Sequence, residues 1–555
     1  MKKITALLLV TLLCLSIAAC NGGTDTSGSP GGSSGPSSGP SVPSNPEVQT
    51  LNPDVDLTAS RVVDVVRHSS RNQSWDVAPW KNNGNGGNSI WYNIYSCLVA
   101  NEAYGTPIED MHLDMAESIT FSADKMSATI KLRDYIHDSK GNPIKASDVV
   151  WSYQTAPEVA PTYARINNYM ASIKIIDELT IEIEVTNNAP GTWEVLLCYT
   201  PIINQKWYEG ASEDEKANDP ATTGAYRVID NVPNISTTLE AIEDFWQKDE
   251  LRSLYQIVNA KQIIYVGILE SAMRSIALEN GELDSAFIDS AGVDRFFDDP
   301  NFTVNVFWMA NPNTLVLNGS ENSPFYNNPA LRKAVLHAID WEDAAIPVSG
   351  ENLKRGHDTA PMLCSDYDPA WDNEEYYEYN PELAKQYLIE AGYTEGNGPT
   401  LHYICRSNPE QVSAATLIQS YLKAVGITMT YDGLDQGIYD AYQNDPTQWD
   451  MNWFTQSMAG GFVIESWIYY FGNRGTGGNA SFIDDPTMQS LLNDALVKND
   501  AASKNAFRSY VVDQAYAVNI SNEPVYYVSR KGIDVFPVSF LINPVMNACV
   551  FGDDF

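Results

Sequence analysis

Basic residues are scarce in this chain: 34 Lys and Arg stand against 71 Asp and Glu, a net charge of −37. That deficit excludes nucleic acid as a partner, because binding it demands a basic footprint. It fits a well-solvated body that anionic lipid repels. Cysteine is thin as well. Cys14 and Cys20 lie at the N-terminus, and Cys97, Cys198, Cys364, Cys405 and Cys549 are scattered, odd in number and without metal spacing. Their pairing cannot be read from sequence. The six His (68, 112, 137, 337, 357 and 402) never form H-x-x-x-H or H-E-x-x-H, so helical zinc sites have no support. There is no P-loop and no G-x-G-x-x-G. The stretch Gly31–Gly35 matches G-x-S-x-G, but it lies in a Gly/Ser/Pro tract with no strand or helix to make a nucleophile elbow. Carboxylate pairs are unavoidable among 71 acidic residues and carry no meaning without geometry. No catalytic residue, cofactor or metal ligand is therefore assigned, and the chain is not expected to be an enzyme.

Long apolar runs are nearly absent too. The one at Ala6–Ala19 follows Lys2-Lys3, is too short to span a bilayer comfortably and is flanked as a signal peptide is. It ends Ile17-Ala-Ala-Cys20, which resembles a lipoprotein signal-peptidase box. Residues 1–19 are thus expected to leave, with Cys20 lipidated on two chains, enough for stable attachment. Residues 20–45, almost all Gly, Ser, Pro, Thr and Asn, read as a tether. The remaining 510 or so residues exceed what one core holds, so at least two lobes are expected outside the cytoplasm.

What the sequence does hold is organised around Ala116–Tyr153, AESITFSADKMSATIKLRDYIHDSKGNPIKASDVVWSY. Met126, Ala128, Ile130 and Leu132 alternate with Ser127, Thr129 and Lys131, predicting a half-buried strand. Ser122–Lys125 is a turn before it, and Gly141 and Pro143 break the chain after it. Ser147 and Asp148 open a helix with Val149, Val150 and Tyr153 on one face. Upstream, Arg61–Arg67 reads as a strand, and Trp91, Ile94, Tyr95 and Leu98 as an amphipathic helix.

Phe121, Asp124, Leu132, Arg133, His137, Gly141, Pro143, Ala146, Asp148, Val149 and Tyr153 together resemble the signature of oligopeptide/dipeptide-type substrate-binding proteins of ABC importers (family 5). Further resemblances follow in the family's order: Thr223–Arg227 (Ala225 for the usual Pro), Ala277–Asp284, Pro324–Asp340, Asn380–Tyr393, Ile418–Ile427 and Asp450-Met451.

The resemblance implies an α/β fold of the two-lobed periplasmic-binding-protein type (class II, large oligopeptide-binding form) with a hinge. One discontinuous lobe would comprise 46–310 and 523–555, with a subdomain at about 99–219, and the other 311–522. It implies capture of an oligopeptide, or of an oligosaccharide or other solute, between the lobes. Delivery to an ABC permease by a monomer lipid-anchored to the bacterial cell membrane would follow. A transporter-free surface sensor is the other reading of the same fold. Aromatic faces suit such a cleft, and the segments that face it in the family carry Trp75, Trp91, Trp453, Thr455, Gln456, Ser457, Tyr526 and Tyr527. Arg474, in a Gly/Asn-rich loop, is placed to offer a guanidinium to a carboxylate. One departure stands out. Peptide binders of this kind hold the ligand's ammonium on an acid shortly after the Trp453 segment, yet Met451–Ile464 contains no Asp or Glu. Glu465 is the next acid, and it reaches such a place only through a rearranged loop.

Overall fold

A computed structural model describes residues 56–57, 60–70, 76–81, 88–164, 166–309, 311–394, 397–455, 461–472 and 479–555. The expected signal peptide and tether, Cys20, Trp75, Gln456, Ser457 and Arg474 lie outside the described residues.

Several elements follow directly from local chemistry. Strand Ser127–Leu132 buries Ala128, Ile130 and Leu132 and exposes Thr129 and Lys131. Asp124 Oδ1 accepts from Ser122 Oγ (2.7 Å) and Met126 N (3.1 Å), closing the preceding turn. The following helix spans Ala146–Val159, and Asp148 Oδ2 accepts from Lys145 N (2.8 Å) at its start. Val149, Tyr153 and Ala156 form its buried stripe while Val150 is half-buried. Asn328 and Asn380 cap the helices Pro329–Ala338 and Pro381–Glu390 through their side chains. Gly281, at φ +73°, stops the helix Ser271–Glu279.

One helix is shorter than its periodicity. Trp91, Ile94, Tyr95 and Leu98 are all buried, but the helix spans Asn88–Ile94 only. The Ile94 carbonyl is taken by Thr223 N (3.0 Å) and Gly224 N (2.9 Å). A Cβ on Gly224 would collide with the Asn93 carbonyl, so this packing needs glycine. A contact some 130 residues away in sequence thus ends the helix one turn early.

Two large sheets organise the chain. A seven-stranded sheet has the order Phe302–Trp308, Pro524–Arg530, Ser285–Ile288, Val63–Ser69, Ala260–Val266, Ser236–Ala241, Tyr226–Val232. A five-stranded sheet has the order Thr428–Leu434, Thr400–Arg406, Met451–Thr455, Asn313–Leu317, Ala517–Ser521. We call their surroundings the near and far lobes. The near lobe carries an insert between Ser69 and Tyr226, built on a four-stranded antiparallel sheet (Ala116–Phe121, Ser127–Leu132, Thr180–Val185, Met170–Ile175). In the five-stranded sheet, parallel pairs join Thr400–Arg406 to both neighbours, with helix Pro409–Ala424 as a crossover.

The apolar core follows the same division. One cluster, including Leu315, Leu331, Leu401, Ile418, Met451 and Trp453, fills the far lobe. A small cluster lies beneath helix Ser271–Glu279, including Leu278, Leu283, Phe296 and Tyr526. The third runs from the near lobe through the insert and into far-lobe residues Cys364, Phe454, Ile464 and Trp467. Among the described residues no helix is long and apolar enough to cross a membrane.

Candidate functional site between the two sheets

The chain passes from one sheet to the other after Trp308 and returns after Ser521. The two passages run side by side. Strand Phe302–Trp308 pairs with Pro524–Arg530, ending at Trp308↔Pro524, and Asn313–Leu317 pairs with Ala517–Ser521, starting at Asn313↔Ser521. Between them Met309 N donates to Glu523 O (3.1 Å), and the ladder shifts register at Asn313/Thr314.

A buried polar cluster surrounds this passage, and Asn313 is its centre. Its Nδ2 donates to Ser349 Oγ (3.2 Å) and Ser521 Oγ (3.0 Å). Its Oδ1 accepts from Trp453 Nε1 (3.0 Å) and Thr455 Oγ1 (3.0 Å). The Ser349 and Ser521 hydroxyls also meet each other at 2.6 Å. Asn519 Nδ2 donates to Asp358 O (2.9 Å), and Asn522 exchanges backbone bonds with Lys354 (2.9 and 2.6 Å). Asn352 Nδ2 reaches from the far lobe to Tyr526 Oη in the near lobe (3.2 Å). The pairing around Asn313 matters, because a buried polar group left unpaired costs on the order of 1–3 kcal/mol.

The structure brings Trp453, Thr455 and Tyr526 to this passage. Trp453 is fully buried on the far-lobe core face, and Thr455 shares its acceptor. Tyr527 sits on the opposite face of the near sheet from its neighbour. Its Oη donates to Ile542 O (3.0 Å), and its ring stacks on Phe536 at 5.6 Å and lies 6.1 Å from His68. Trp91 belongs to a separate aromatic group with Tyr92 (5.0 Å) and Tyr199 (6.5 Å), and its buried indole N–H has no acceptor among the described residues. The indole N–H of Trp308, at the passage itself, is unpaired in the same sense.

Buried titratable groups nearby are structural in their bonding. His68, hydrogen-bonded to Ser285 Oγ (2.8 Å), is driven down to about 3 by burial and stays neutral. Asp358 is pushed up to about 6 by burial, against backbone and indole donors from Ala360 (2.8 Å) and Trp467 (2.9 Å) and the nearby Arg508. Elsewhere, half-buried His137 and buried His337 bond carbonyls of Asp138 (3.1 Å) and Glu378 (2.9 Å). An open groove of about 590 Å³ lies on the far lobe, lined by Asp340, Glu342, Asp343, Glu351, Lys354 and Glu378 among others, and none of the sequence-predicted residues lines it.

Sequence reasoning missed Asn313 as a hub, because Asn311-Pro-Asn313 carries the same letters as a turn. It also left Glu465 open. The carboxylate of Glu465 lies over Gly191 of the insert, and its Oε2 accepts from Gly461 N (3.3 Å). The first acid after Trp453 thus bridges the two lobes.

These features have known counterparts. The chain is 23% identical over 473 residues to the oligopeptide-binding protein OppA of Bacillus subtilis, covering 77% of this chain and 80% of that protein. The fold matches DppA of Helicobacter pylori, solved in complex with the peptide STSA, at a TM-score of 0.70 and 19% identity, over 88% of this chain and 98% of that one. It matches AgaA of A. tumefacien R10, solved with agropinic acid, equally well: TM-score 0.70, 19% identity, 88% and 98% coverage. The model of the bacterial extracellular solute-binding proteins, family 5 (middle region), matches residues 110–479, well over half the sequence. Two lobes joined by paired passages, and a family match across both of them, make this chain a member of the family 5 solute-binding proteins of ABC transporters, which are binding proteins and not enzymes.

Proposed function

We propose that this protein is the lipid-anchored receptor of an ABC importer, taking an oligopeptide between its lobes and presenting it, as a monomer, to the permease. The observation that supports this reading most directly is the paired passage at Trp308–Asn313 and Ser521–Pro524, where two adjacent segments join the sheets. A few residues at 311–313 and 519–524, on this reading, absorb the φ/ψ change of closure and serve as the hinge. On this reading the near lobe is 46–310 with 523–555, and the far lobe is 311–522. Ligand shifts the population to the closed form by binding it better, and the permease reads that shape. Cys20 carries the lipid, and residues 20–45 let the body move above the membrane. Trp75, Trp91, Trp453, Thr455, Gln456, Ser457, Arg474, Tyr526 and Tyr527 are the residues we assign to ligand.

A second ligand class has its own support. Met451–Ile464 has no acid to meet an ammonium, and Glu465 is engaged against Gly191 and Gly461. A buried ammonium without a counter-charge is costly, which favours an N-blocked peptide or a non-peptide solute. Native mass spectrometry of Val42–Phe555, a compact unit purified without refolding, decides between them. A ladder of adducts at peptide masses is expected. A single adduct at a sugar, chelate or opine-like mass would overturn the peptide reading.

A further inference from the structure

The lobes also touch at a second place, between the insert and the far lobe, and there glycine backbone comes up against the far side, flanked by the side chains of Tyr104, Ser365 and Glu465. Gly105 stands at φ +73°, and a Cβ on it would lie 2.7 Å from Ser365 Oγ and 2.9 Å from the Gly461 carbonyl. Gly461 stands at φ +81°, and a Cβ there would collide with Gly105 N and come within 2.6 Å of Gly105 Cα. Gly191 stands at φ +89°, and a Cβ there would overlap the Glu465 carboxylate. Each of these glycines therefore excludes a side chain twice, by its left-handed backbone and by what faces it. Gly350, nearer the passages, faces only the Ser290 side chain, with Oγ at 2.9 Å and Cβ at 3.2 Å from an added Cβ.

Both sides of this contact are held rigid. On the insert, Glu194 Oε1 accepts from Ile108 N (3.1 Å), tying the Gly191 turn to the loop that carries Gly105. Burial raises the Glu194 pKa, and the bond keeps the buried carboxyl satisfied. On the far lobe, Ser365 N donates to Gly461 O (3.2 Å), and Asp366 accepts from Val463 N (2.8 Å) while pairing with Lys504 (2.5 Å). The Tyr104 ring is buried beside Gly461.

We propose that Gly105, Gly191 and Gly461 form a closing seam, with Glu465 as its positioning residue, and that this seam sets the balance between open and closed forms. The proposal rests on the reading of the chain as a solute receptor that closes. It also assigns Glu465 a role: its carboxylate bridges Gly461 N to the Gly191 turn, so its charge serves closure in place of a ligand ammonium. The facing atoms are met only when the lobes come together, so beyond a backbone cost common to both forms the clash of an added Cβ acts on the closed form alone.

The test uses the full chain with spin labels on cysteines introduced at the exposed Asp110 and Asn373, since the native Cys97, Cys198, Cys364, Cys405 and Cys549 are buried. Inter-label distances are measured by pulsed electron resonance before and after adding a tryptic digest of casein. Gly191→Ala and Gly461→Ala are expected to lower the closed-to-open ratio about tenfold, the size of an overpacking penalty. Gly141→Ala and Gly281→Ala carry the same backbone cost at φ +82° and +73° but face nothing within 4 Å, so they are expected to close normally. Should an Ala variant melt early, Glu465→Ala and Glu465→Gln give the same reading: Ala opens the protein, and Gln, which keeps the reach to Gly461 N, restores part of the closed population. Seam variants that close like the wild type, or a wild type open in every condition, would overturn the seam. A short-distance population that the digest leaves unchanged but the seam variants abolish would support the seam and count against peptide capture. A digest-driven rise equal in all variants would do the reverse.

Discussion

The two places where the lobes meet are built on opposite principles. At the passages, side-chain hydrogen bonds reinforce paired backbone: Asn313 satisfies four partners within the far lobe, and Asn352 reaches across to Tyr526. At the second contact, the backbones of Gly105 and Gly461 meet beside Ser365 and Tyr104, with the Glu465 carboxylate over the Gly191 turn. Hydrogen-bonded clusters hold a fixed geometry because each buried donor is costly to expose. A contact with few hydrogen bonds across it has fewer polar groups to strand on parting and can meet and separate more readily. The comparison separates what keeps each lobe in register from what lets them move.

The largest expected effect breaks the first of these. Asn313→Ala leaves Trp453 Nε1, Thr455, Ser349 and Ser521 short of a partner in the core, and a loss of about 3 kcal/mol is expected in urea unfolding. An unchanged midpoint would show that the cluster rearranges without cost.

Next comes a test on the seam-bearing insert. Asp114 is pushed up to about 7, chiefly by burial, even though Gln256 donates to it. Its folded pKa thus lies above its unfolded value of 3.8, so the native state holds the extra proton. Stability from this group is present below about pH 4 and is lost as pH rises toward 7. Asp114→Asn is accordingly expected to stabilise the protein by roughly 2 kcal/mol at pH 8 and to have little effect at pH 4. Thermal melts at the two pH values check this, and equal shifts at both would remove the buried charge as the cause.

The smallest effect sharpens the comparison. Asn352→Ala removes one partly buried bond between lobes and is expected to cost about 1 kcal/mol or less. Its signature would be a changed hinge, read as a broader distance distribution with the same two labels. A fall in the closed population as large as that of Gly191→Ala would erase the distinction between the two contacts.

Much of this was legible in the sequence where a few neighbouring residues decide. The alternation at Ser127–Leu132, the Asn caps before Pro329 and Pro381 and the Gly281 stop all follow from local chemistry. The family and its fold were legible because several such local signals occur in one order. The early end of the Trp91 helix was not, since Thr223 and Gly224 arrive from far along the chain to take the Ile94 carbonyl. Nor was Asn313, because a buried hub and a turn residue are the same letter until their surroundings are known. Trp453 shows the limit for the site: its place in the family's motif was readable, while the burial of its ring in the far-lobe core was not. Glycines posed the same difficulty, for the letter G does not say that another backbone lies against it.

The order of strands in the larger sheet carries a consequence for biogenesis. Pro524–Arg530 is not an edge: it is held between Phe302–Trp308 and Ser285–Ile288, with Arg530 on Asp284 at 3.1 Å. A chain emerging from the ribosome or a translocation channel in sequence order can complete the five-stranded sheet by Ser521, while the seven-stranded sheet keeps an empty slot more than 200 residues after its neighbours were made. Late, long-range strand insertion of this kind is slow and leaves unpaired edges exposed. The last stretch to be delivered therefore sets when folding can finish, and the half-made sheet is the species a holding chaperone would have to protect.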